Sequence, residues 1–311
     1  MKPILSLVIP VYRNEDSIGD LIAAVSKLSR MAEGRFEAVF VVDGSPDRSY
    51  ALLRSTLPSA GFASQLITLS RNFGSFAAIR LGLSRAQGKY IAVMAADLQE
   101  PPELIGRFLE VLRDRECDVA FGVREARHDA LSSKFASRLF WALYRRMVMR
   151  DIPSGGVDIF ALTADFRDRL LNLGESNTSL LAQLFWLGGR REFVPYVRRK
   201  RQHGRSAWTI GKKLRYLSDS VFSFTDLPVR MLLGLGVFTL FVAVLLAGVT
   251  LVAKASGVVA VPGYAGTMLT ILFFGAFNAL GLGVVGEYAW RTYENTKARP
   301  LVLVQSEELF G

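Results

Sequence analysis

One acidic residue is notable for the chemistry that its position allows. The stretch 90–94 is a short apolar run typical of a buried strand, and Asp97 follows it by three residues. In an open α/β sheet, ligands bind beyond the carboxyl ends of the strands, where a carboxylate can hold a divalent metal ion and the metal can hold phosphates. The alternative is an ordinary helix start, because Asp and Pro are favoured there and two prolines follow at 101 and 102.

Three earlier strand-like runs also end in polar side chains. Tyr12 and Glu15 follow the first run, Asp43 follows the second and Arg71 follows the third. Parallel strands bring their carboxyl ends to one edge of a sheet, so we expect these side chains to lie near Asp97. Tyr12 can flank a base, and Glu15 or Asp43 can accept hydrogen bonds from a base or a ribose. Each turn alone is weak evidence, but four in series indicate a binding edge.

The first part of the chain alternates between strand-like and helix-like stretches. Apolar runs predict strands at 4–11, 36–42, 65–69, 90–94 and 118–122, and helical spacing of apolar residues predicts helices at 17–28, 49–57, 76–86 and 104–113. This alternation is typical of a mostly parallel sheet with right-handed crossovers. No G-x-G-x-x-G follows the first strand, which argues against a dinucleotide site.

Composition restricts the partners and cofactors. The chain has 311 residues and a net charge of +10, which favours an anionic partner. The segment 190–215 is densely basic, with 10 of the 38 Lys and Arg residues, and it lies just before a long apolar stretch, where it can meet lipid phosphates. No nucleic-acid recognition motif accompanies it, so nucleic acid is not an expected partner. The single Cys117 excludes an internal disulfide, and with two histidines it leaves no zinc cluster.

Two uncharged apolar stretches, Met231–Ala253 and Tyr264–Gly286, are each long enough to cross a bilayer. Arginines and lysines lie before the first stretch and after the second, so the positive-inside rule predicts that both termini are cytoplasmic. Glu287 and Arg291 are four residues apart and can pair at the inner end of the second helix. An amphipathic helix is predicted over 135–147, either as a core helix or on the membrane surface.

The sequence resembles the polyprenyl-phosphate glycosyltransferases of glycosyltransferase family 2, such as dolichol-phosphate mannose synthase and the bactoprenol glucosyl transferases. The resemblance covers nearly the whole chain. It rests on two apolar helices and on the motifs PVYRNE (10–15), VVDGS (41–45), LSRNFG (69–74), ADLQEPPEL (96–104) and GEYAWRTYENTKARP (286–300). The Q-x-x-R-W motif of processive polysaccharide synthases is absent from the sequence.

The resemblance implies a hexosyltransferase with the GT-A fold, an α/β Rossmann-like domain with a mostly parallel sheet. It implies transfer of one sugar from a nucleotide sugar, most commonly a UDP-sugar, to undecaprenyl phosphate for cell-envelope glycans, with Mg²⁺ or Mn²⁺. The implied regions are a GT-A domain (1–205), a juxtamembrane amphipathic segment (206–228), two transmembrane helices within 229–290 and a cytoplasmic tail (291–311). The enzyme would be a multi-pass protein of the bacterial inner membrane with a cytoplasmic catalytic domain, and the resemblance suggests a homotetramer.

Motif matching also implies roles for individual residues. The nucleotide sugar is assigned to Pro10, Tyr12, Glu15, Asp43, Arg71 and Asp97, the metal to Asp97 and Gln99, the acceptor phosphate to Arg124, Arg201, Arg205 and Ser206, and catalysis to Asp97, Asp158, Arg124 and Arg201. Arginine suits phosphate binding because its planar fork stays charged and binds two oxygens. The tail 301–304 is interpreted as a short strand that pairs with a neighbouring subunit.

Four positions depart from the family pattern. Ala95 replaces the first acid of D-x-D, Val42 replaces the first acid of D-D-G-S, Ala207 stands where a lysine is usual, and Ile159 follows Asp158 in place of Phe. They leave two alternatives to an active polyprenyl-phosphate enzyme. One is a catalytically weak scaffold or binding homologue, and the other is a membrane glycosyltransferase with a different acceptor, such as diacylglycerol or a growing glycan.

Overall fold

A computed structural model describes residues 2–32, 35–124, 142, 144–146, 148–149, 151–153, 157–175, 177–199, 210–256 and 263–311. The strands are β1 (Leu5–Val11), β2 (Phe36–Val42), β3 (Ala63–Leu69), β4 (Tyr90–Val93), β5 (Val119–Arg124), β6 (Val157–Thr163), β7 (Arg191–Tyr196) and β8 (Val304–Phe310). The helices are α1 (Ile18–Met31), α2 (Ser49–Thr56), α3 (Ser75–Arg85), α4 (Glu103–Asp114), α5 (Ala164–Leu171), α6 (Leu180–Trp186), α7 (Ile210–Phe224), α8 (Leu227–Ala255) and α9 (Tyr264–Thr296).

All eight strands form one sheet in the order β7-β5-β6-β4-β1-β2-β3-β8. β1 pairs in parallel with β2 and β4, β2 with β3, and β5 with β7. β6 runs antiparallel to β4 and β5, and β8 runs antiparallel to β3. The predicted Rossmann-like α/β fold is confirmed, although β6 and β8 make the sheet mixed rather than mostly parallel.

Helices cover both faces of the sheet. The apolar sides of α1, α2 and α4 pack in one core cluster, and those of α3, α5 and α6 pack in the other. Every residue of β2 is buried, which explains why its sequence is an unbroken apolar run without alternation. The sheet is therefore a rigid support, and the loops at its carboxyl edge are free to carry function.

The two long apolar stretches form α8 and α9. Among the described residues, one segment, Leu227–Leu246 in α8, is long and apolar enough to cross a membrane, with a mean hydropathy of 2.4. Only 6% of that segment is buried within the structure, so it is not a core helix. The second predicted span is a continuous helix in α9 but is not confirmed as a membrane span. The predicted ion pair between Glu287 and Arg291 is confirmed, because Arg291 Nε lies 2.8 Å from Glu287 Oε1.

The predicted helix at 135–147 falls mostly outside the described residues. Tyr144 is described and is fully buried, and its hydroxyl donates to Ser220 Oγ of α7 at 3.0 Å. At this point the segment therefore belongs to the protein interior and packs against α7.

The prediction for the tail was wrong. The strand runs from Val304 to Phe310, not over 301–304, and it pairs with β3 of the same chain rather than with a neighbouring subunit. Glu308 explains the placement, because it accepts hydrogen bonds from the Tyr50 hydroxyl at 2.5 Å and from Arg54 Nε at 2.9 Å, both on α2. Since these partners are about 250 positions away along the chain, local sequence could not reveal them.

Candidate nucleotide-sugar site

The loops that follow β1, β2, β3 and β4 meet at one edge of the sheet, as predicted. Arg13 N donates to Ser45 Oγ at 2.8 Å, which joins the first loop to the second. Phe73 N donates to Asp43 Oδ1 at 2.7 Å, which joins the second loop to the third. Ser17 Oγ donates to the carbonyl of Ala96 at 3.1 Å, which joins the first loop to the one that carries Asp97.

Asp43 organises the loop that follows β3. It is 2% exposed, and its two carboxylate oxygens accept from Phe73 N at 2.7 Å and Gly74 N at 2.8 Å. The following residue, Gly44, has a φ of +55° and lies directly against the backbone of Arg71 and Asn72. Asp43 therefore shapes the binding edge through the backbone, and its predicted contact with a base or ribose stays a prediction.

Asp47 was missed from the sequence, although it ties together the loops after β1 and β2. Its carboxylate accepts from Ser45 Oγ at 2.6 Å, Ser49 Oγ at 2.9 Å, Glu15 N at 3.0 Å and Ser49 N at 3.2 Å. An Asp two residues before a helix-starting Ser is the local signal that could have identified it. Glu15 is itself held by Arg48, whose backbone N–H donates to Glu15 Oε2 at 3.0 Å.

The pKa of Asp47 gives a prediction for stability. Partial burial alone would raise this pKa, but hydrogen bonds from Ser45, Ser49 and two backbone amides outweigh burial and lower it below its ordinary value of 3.8. A lowered folded-state pKa means that the carboxylate stabilises the fold fully above the unfolded value and that this contribution is lost as pH falls through the folded value. We therefore expect the melting-temperature difference between wild type and Asp47→Ala to be constant from pH 7 to 5 and to shrink below pH 3.8. Thermal unfolding at each pH measures it, and a difference that grows on acidification would contradict the assignment.

Asp97 lies half-buried in a tight turn after β4. Its Oδ1 accepts from Gln99 N at 3.3 Å, and Leu98 between them has a φ of 52°, a left-handed conformation that is uncommon for a bulky residue. Leu98 packs against the core cluster, which offsets the strain and fixes the loop. In the part of the chain that the structure describes, no cluster of three or more His, Cys, Asp or Glu side chains could hold a metal ion. One carboxylate fits a divalent ion that takes its remaining ligands from substrate phosphates and water.

Gln99, predicted to be a metal ligand, has a structural partner. It is buried, and its Oε1 accepts from Arg198 Nη2 at 2.7 Å. Glu100 is 2% exposed and lies 3.5 Å from Arg198 Nε, and the Gln99 carbonyl accepts from Arg199 N at 2.8 Å. These contacts dock the segment after β7 onto the Asp97 loop. In this arrangement the amide oxygen of Gln99 is directed to Arg198, and its role as a metal ligand stays a prediction.

The ion pair between Arg198 and Glu100 should be measurable as stability. Removing one partner of a largely buried pair leaves a carboxylate without its cation, so Arg198→Met should lower the free energy of unfolding by about 2–3 kcal/mol. Adding Glu100→Gln should recover part of that loss. Arg199→Met is the matched control, because its pair with Glu103 is 55% exposed on both sides and should contribute less than about 1 kcal/mol. Denaturant unfolding measures both losses. If Arg198→Met and Arg199→Met lowered the free energy of unfolding equally, the buried pair would contribute no more than the exposed one.

Some of the remaining predicted site residues lie among the described residues, and others lie outside them. Since β5 and β7 run in the same direction as β4, Arg124 at the end of β5 lies at the same edge as Asp97. Asp158 is the second residue of β6, whose amino end also reaches this edge.

The predicted residues after β1 and β3 are partly exposed. Pro10 is half-buried at the end of β1, and the centroid of the Tyr12 ring lies 5.4 Å from the guanidinium carbon of Arg13. Arg71 is exposed, and its guanidinium carbon lies 4.1 Å from the centroid of the Phe73 ring. Arg201, Arg205 and Ser206 lie outside the described residues.

The sequence matches a known protein family. Residues 6–169, which cover β1 from its second residue and all of β2 to β6, match the family model described as glycosyl transferase family 2. The chain belongs to glycosyl transferase family 2. It is therefore a glycosyltransferase, as the resemblance of its motifs to this family predicted.

Two relatives match this family 2 glycosyltransferase over almost their whole length. Undecaprenyl-phosphate 4-deoxy-4-formamido-L-arabinose transferase of Edwardsiella ictaluri is 31% identical, over 97% of this chain and 93% of its own. Bactoprenol glucosyl transferase of Shigella phage SfX is 28% identical, over 98% and 99%. The resemblance to polyprenyl-phosphate glycosyltransferases is thus confirmed.

A solved structure agrees on the fold of the family 2 domain. Glucosyl-3-phosphoglycerate synthase from Mycobacterium tuberculosis, solved with Mn²⁺ and UDP-glucose, superposes with a TM-score of 0.50 at 18% identity, over 71% of this chain and 78% of that one. At this identity the likeness establishes the GT-A fold alone.

Proposed function

We propose that this enzyme transfers one sugar from a nucleotide sugar, a UDP-sugar in the first instance, to undecaprenyl phosphate for cell-envelope glycans. The observation that carries the proposal is the full-length likeness to two enzymes whose names specify undecaprenyl phosphate and bactoprenol. That likeness extends through α8 and α9, which a soluble acceptor would not require. The apolar Leu227–Leu246 segment, of which only 6% is buried, supports an acceptor that lies in a membrane.

The proposed arrangement in the membrane extends these findings. Both apolar stretches, 231–253 and 264–286, span the bacterial inner membrane, and the domain 1–205, the segment 206–228 and the tail 291–311 lie on the cytoplasmic side. The support is the distribution of positive charge on either side of the pair. The return of β8 to the sheet adds support, because it requires the chain after α9 to lie on the same side as the domain.

The residues at the sheet edge have distinct proposed roles. Tyr12, Glu15 and Asp43, with the end of β1 at Pro10, form the base and ribose side, and Arg71 neutralises the diphosphate. Asp97, assisted by Gln99, holds Mg²⁺ or Mn²⁺, which when bound supplies Lewis-acid stabilisation of negative charge. Arg124, Arg201, Arg205 and Ser206 bind the acceptor phosphate, and Asp158 lies near the reacting sugar.

The chemistry needs little base assistance. An acceptor phosphate oxygen is already ionised at neutral pH and attacks the anomeric carbon directly. A carbon–oxygen bond forms to the acceptor as the bond to the nucleoside diphosphate breaks, and the electron pair leaves with the diphosphate. A single displacement inverts the anomeric centre. The arginines assigned here, together with the metal when it is bound, would stabilise this charge where it develops.

The test is a transfer assay with purified protein in liposomes. We expect that undecaprenyl phosphate, Mg²⁺ or Mn²⁺ and one of a panel of radiolabelled UDP- and GDP-sugars give label in the lipid phase, and that mild acid releases this label. Undecaprenol without the phosphate is the matched control acceptor. No lipid product from any donor would overturn the proposal. Acid-stable label on diacylglycerol would favour the other acceptor, and sugar-nucleotide binding without turnover would favour the weak homologue that Ala95 suggests.

A further inference from the structure

Arg291, near the end of α9, connects three parts of the molecule. Only 11% of its side chain is exposed. Its Nε lies 2.8 Å from Glu287 Oε1 on the same helix, and its Nη2 lies 2.9 Å from Asp219 Oδ1 on α7. The guanidinium also lies over the Phe222 ring of α7, 5.1 Å from its centroid. α7 and α9 are therefore joined through one arginine.

The third connection is to the catalytic domain. Arg291 Nη1 donates to the backbone carbonyl of Asn177 at 3.2 Å, just before α6. Ser223 Oγ of α7 donates to the same carbonyl at 2.7 Å. A backbone carbonyl cannot be changed by substitution, but both of its donors can. A guanidinium suits this position, because its planar fork presents five donors in fixed directions and a lysine has only one nitrogen.

A short chain of contacts leads from this point to the donor site. Tyr216 of α7 lies 5.9 Å, between ring centroids, from Phe76 in the first turn of α3. The loop held by Asp43 ends directly before α3. Ser179 Oγ, at the start of α6, donates to the Tyr216 hydroxyl at 3.0 Å. A shift of α7 would therefore be felt at both α3 and α6.

The length of α9 places Arg291 outside the hydrocarbon. A helix of 33 residues is about 50 Å long, against a hydrocarbon core of about 30 Å. The charged residues of this helix, Glu287, Arg291 and Glu294, all lie in its last three turns. The last turns of α9 thus extend beyond the hydrocarbon core, and Arg291 connects them to the catalytic domain.

We propose that Arg291 is a positioning residue that fixes the height of the catalytic domain above the bilayer, so that the phosphate of a membrane-held polyprenyl phosphate meets the sheet edge. The inference rests on the proposed function, because only an acceptor anchored in the membrane makes that height matter. An acceptor that diffuses freely in water finds the site at any height. Dependence on acceptor chain length is therefore the property that distinguishes positioning from a general structural role.

The experiment compares two acceptors: undecaprenyl phosphate in liposomes and geranyl phosphate in solution. We expect Arg291→Lys to raise the KM for undecaprenyl phosphate about tenfold or more, since small misplacements of reacting groups have large effects, and to leave the KM for geranyl phosphate within about twofold. Asp219→Asn, on the opposite side of the contact, should act in the same direction. Arg230→Lys is the matched control. Arg230 lies on α8 and pairs with Asp226, one residue before that helix, and the two side chains are 76% and 65% exposed, so the substitution should affect transfer to neither acceptor.

The outcomes distinguish the positioning role of Arg291 from the proposed function. Equal loss with both acceptors, or no change with either, would overturn the positioning role. Transfer by the wild type to neither acceptor would overturn the proposed function instead. Hydrogen exchange then tests the contact without activity: in Arg291→Lys the amides at 177–183 should exchange faster than in wild type, and in Arg230→Lys they should not. Unchanged exchange in Arg291→Lys would overturn the contact itself.

Discussion

Replacing Asp97 with asparagine is expected to lower kcat by about 10²–10³-fold, the cost of losing one group that stabilises developing charge. Asparagine keeps the shape of the turn, because its amide oxygen can still accept from Gln99 N, as Asp97 Oδ1 does at 3.3 Å. It removes the only carboxylate of the family's acidic pair, since Ala95 occupies the other position. The loss should appear in single-turnover rates with Mn²⁺ and in a weaker apparent affinity for Mn²⁺.

Two further variants make this test specific. Asp114→Asn, an exposed acid at the far end of α4, should leave both measurements within about twofold of wild type. Ala95→Asp restores the acid pair and should tighten Mn²⁺ binding, because a second carboxylate adds a ligand and a charge. If Asp97→Asn kept more than a third of the activity, Asp97 would not be the metal ligand.

Gly44→Ala should be the most damaging small substitution in the binding edge. An added Cβ would lie 2.5 Å from Asn72 N and 2.7 Å from Arg71 Cα, and closer still to the Arg71 carbonyl carbon. All three are backbone atoms, so the loop after β3 must move away from Asp43. We expect a loss of about 3 kcal/mol in the free energy of unfolding, from the clash and the positive φ together, and a loss of donor binding.

Gly61→Ala is the control that separates these two effects. Gly61 has a φ of +73°, but no heavy atom would lie within 4 Å of an added Cβ. It should therefore show the backbone strain alone, about 1 kcal/mol, with unchanged donor affinity. Denaturant unfolding and titration with the UDP-sugar measure both effects. Equal destabilisation by the two substitutions would mean that contact with the Arg71 backbone contributes nothing.

The sequence predicted the strands whose loops form the candidate donor site better than it predicted the contacts that hold those loops together. β1 to β4 are buried apolar runs that end in polar turns, and both properties are local. Asp43 was found for the same reason, but its partners Phe73 and Gly74 lie 30 positions further on, so its structural role was hidden. Gln99 was assigned by motif alone, and Arg198, 99 residues away, could not be paired with it from sequence. Asp47 was missed because its role is to join the loops after β1 and β2, which come together only in the folded protein.

The pairing of β8 with β3 has a consequence for biosynthesis. β8 is translated after α8 and α9, so both helices are made while β3 is still the open edge of an incomplete sheet. An open edge can pair with any other strand that it meets, including that of a second nascent chain. In the membrane arrangement proposed above, insertion of α8 and α9 delays β8, but it also returns β8 to the side of the membrane on which the domain lies. The local concentration of β8 near β3 is then high, which favours pairing of β3 with β8 of its own chain over pairing with a strand of a second chain.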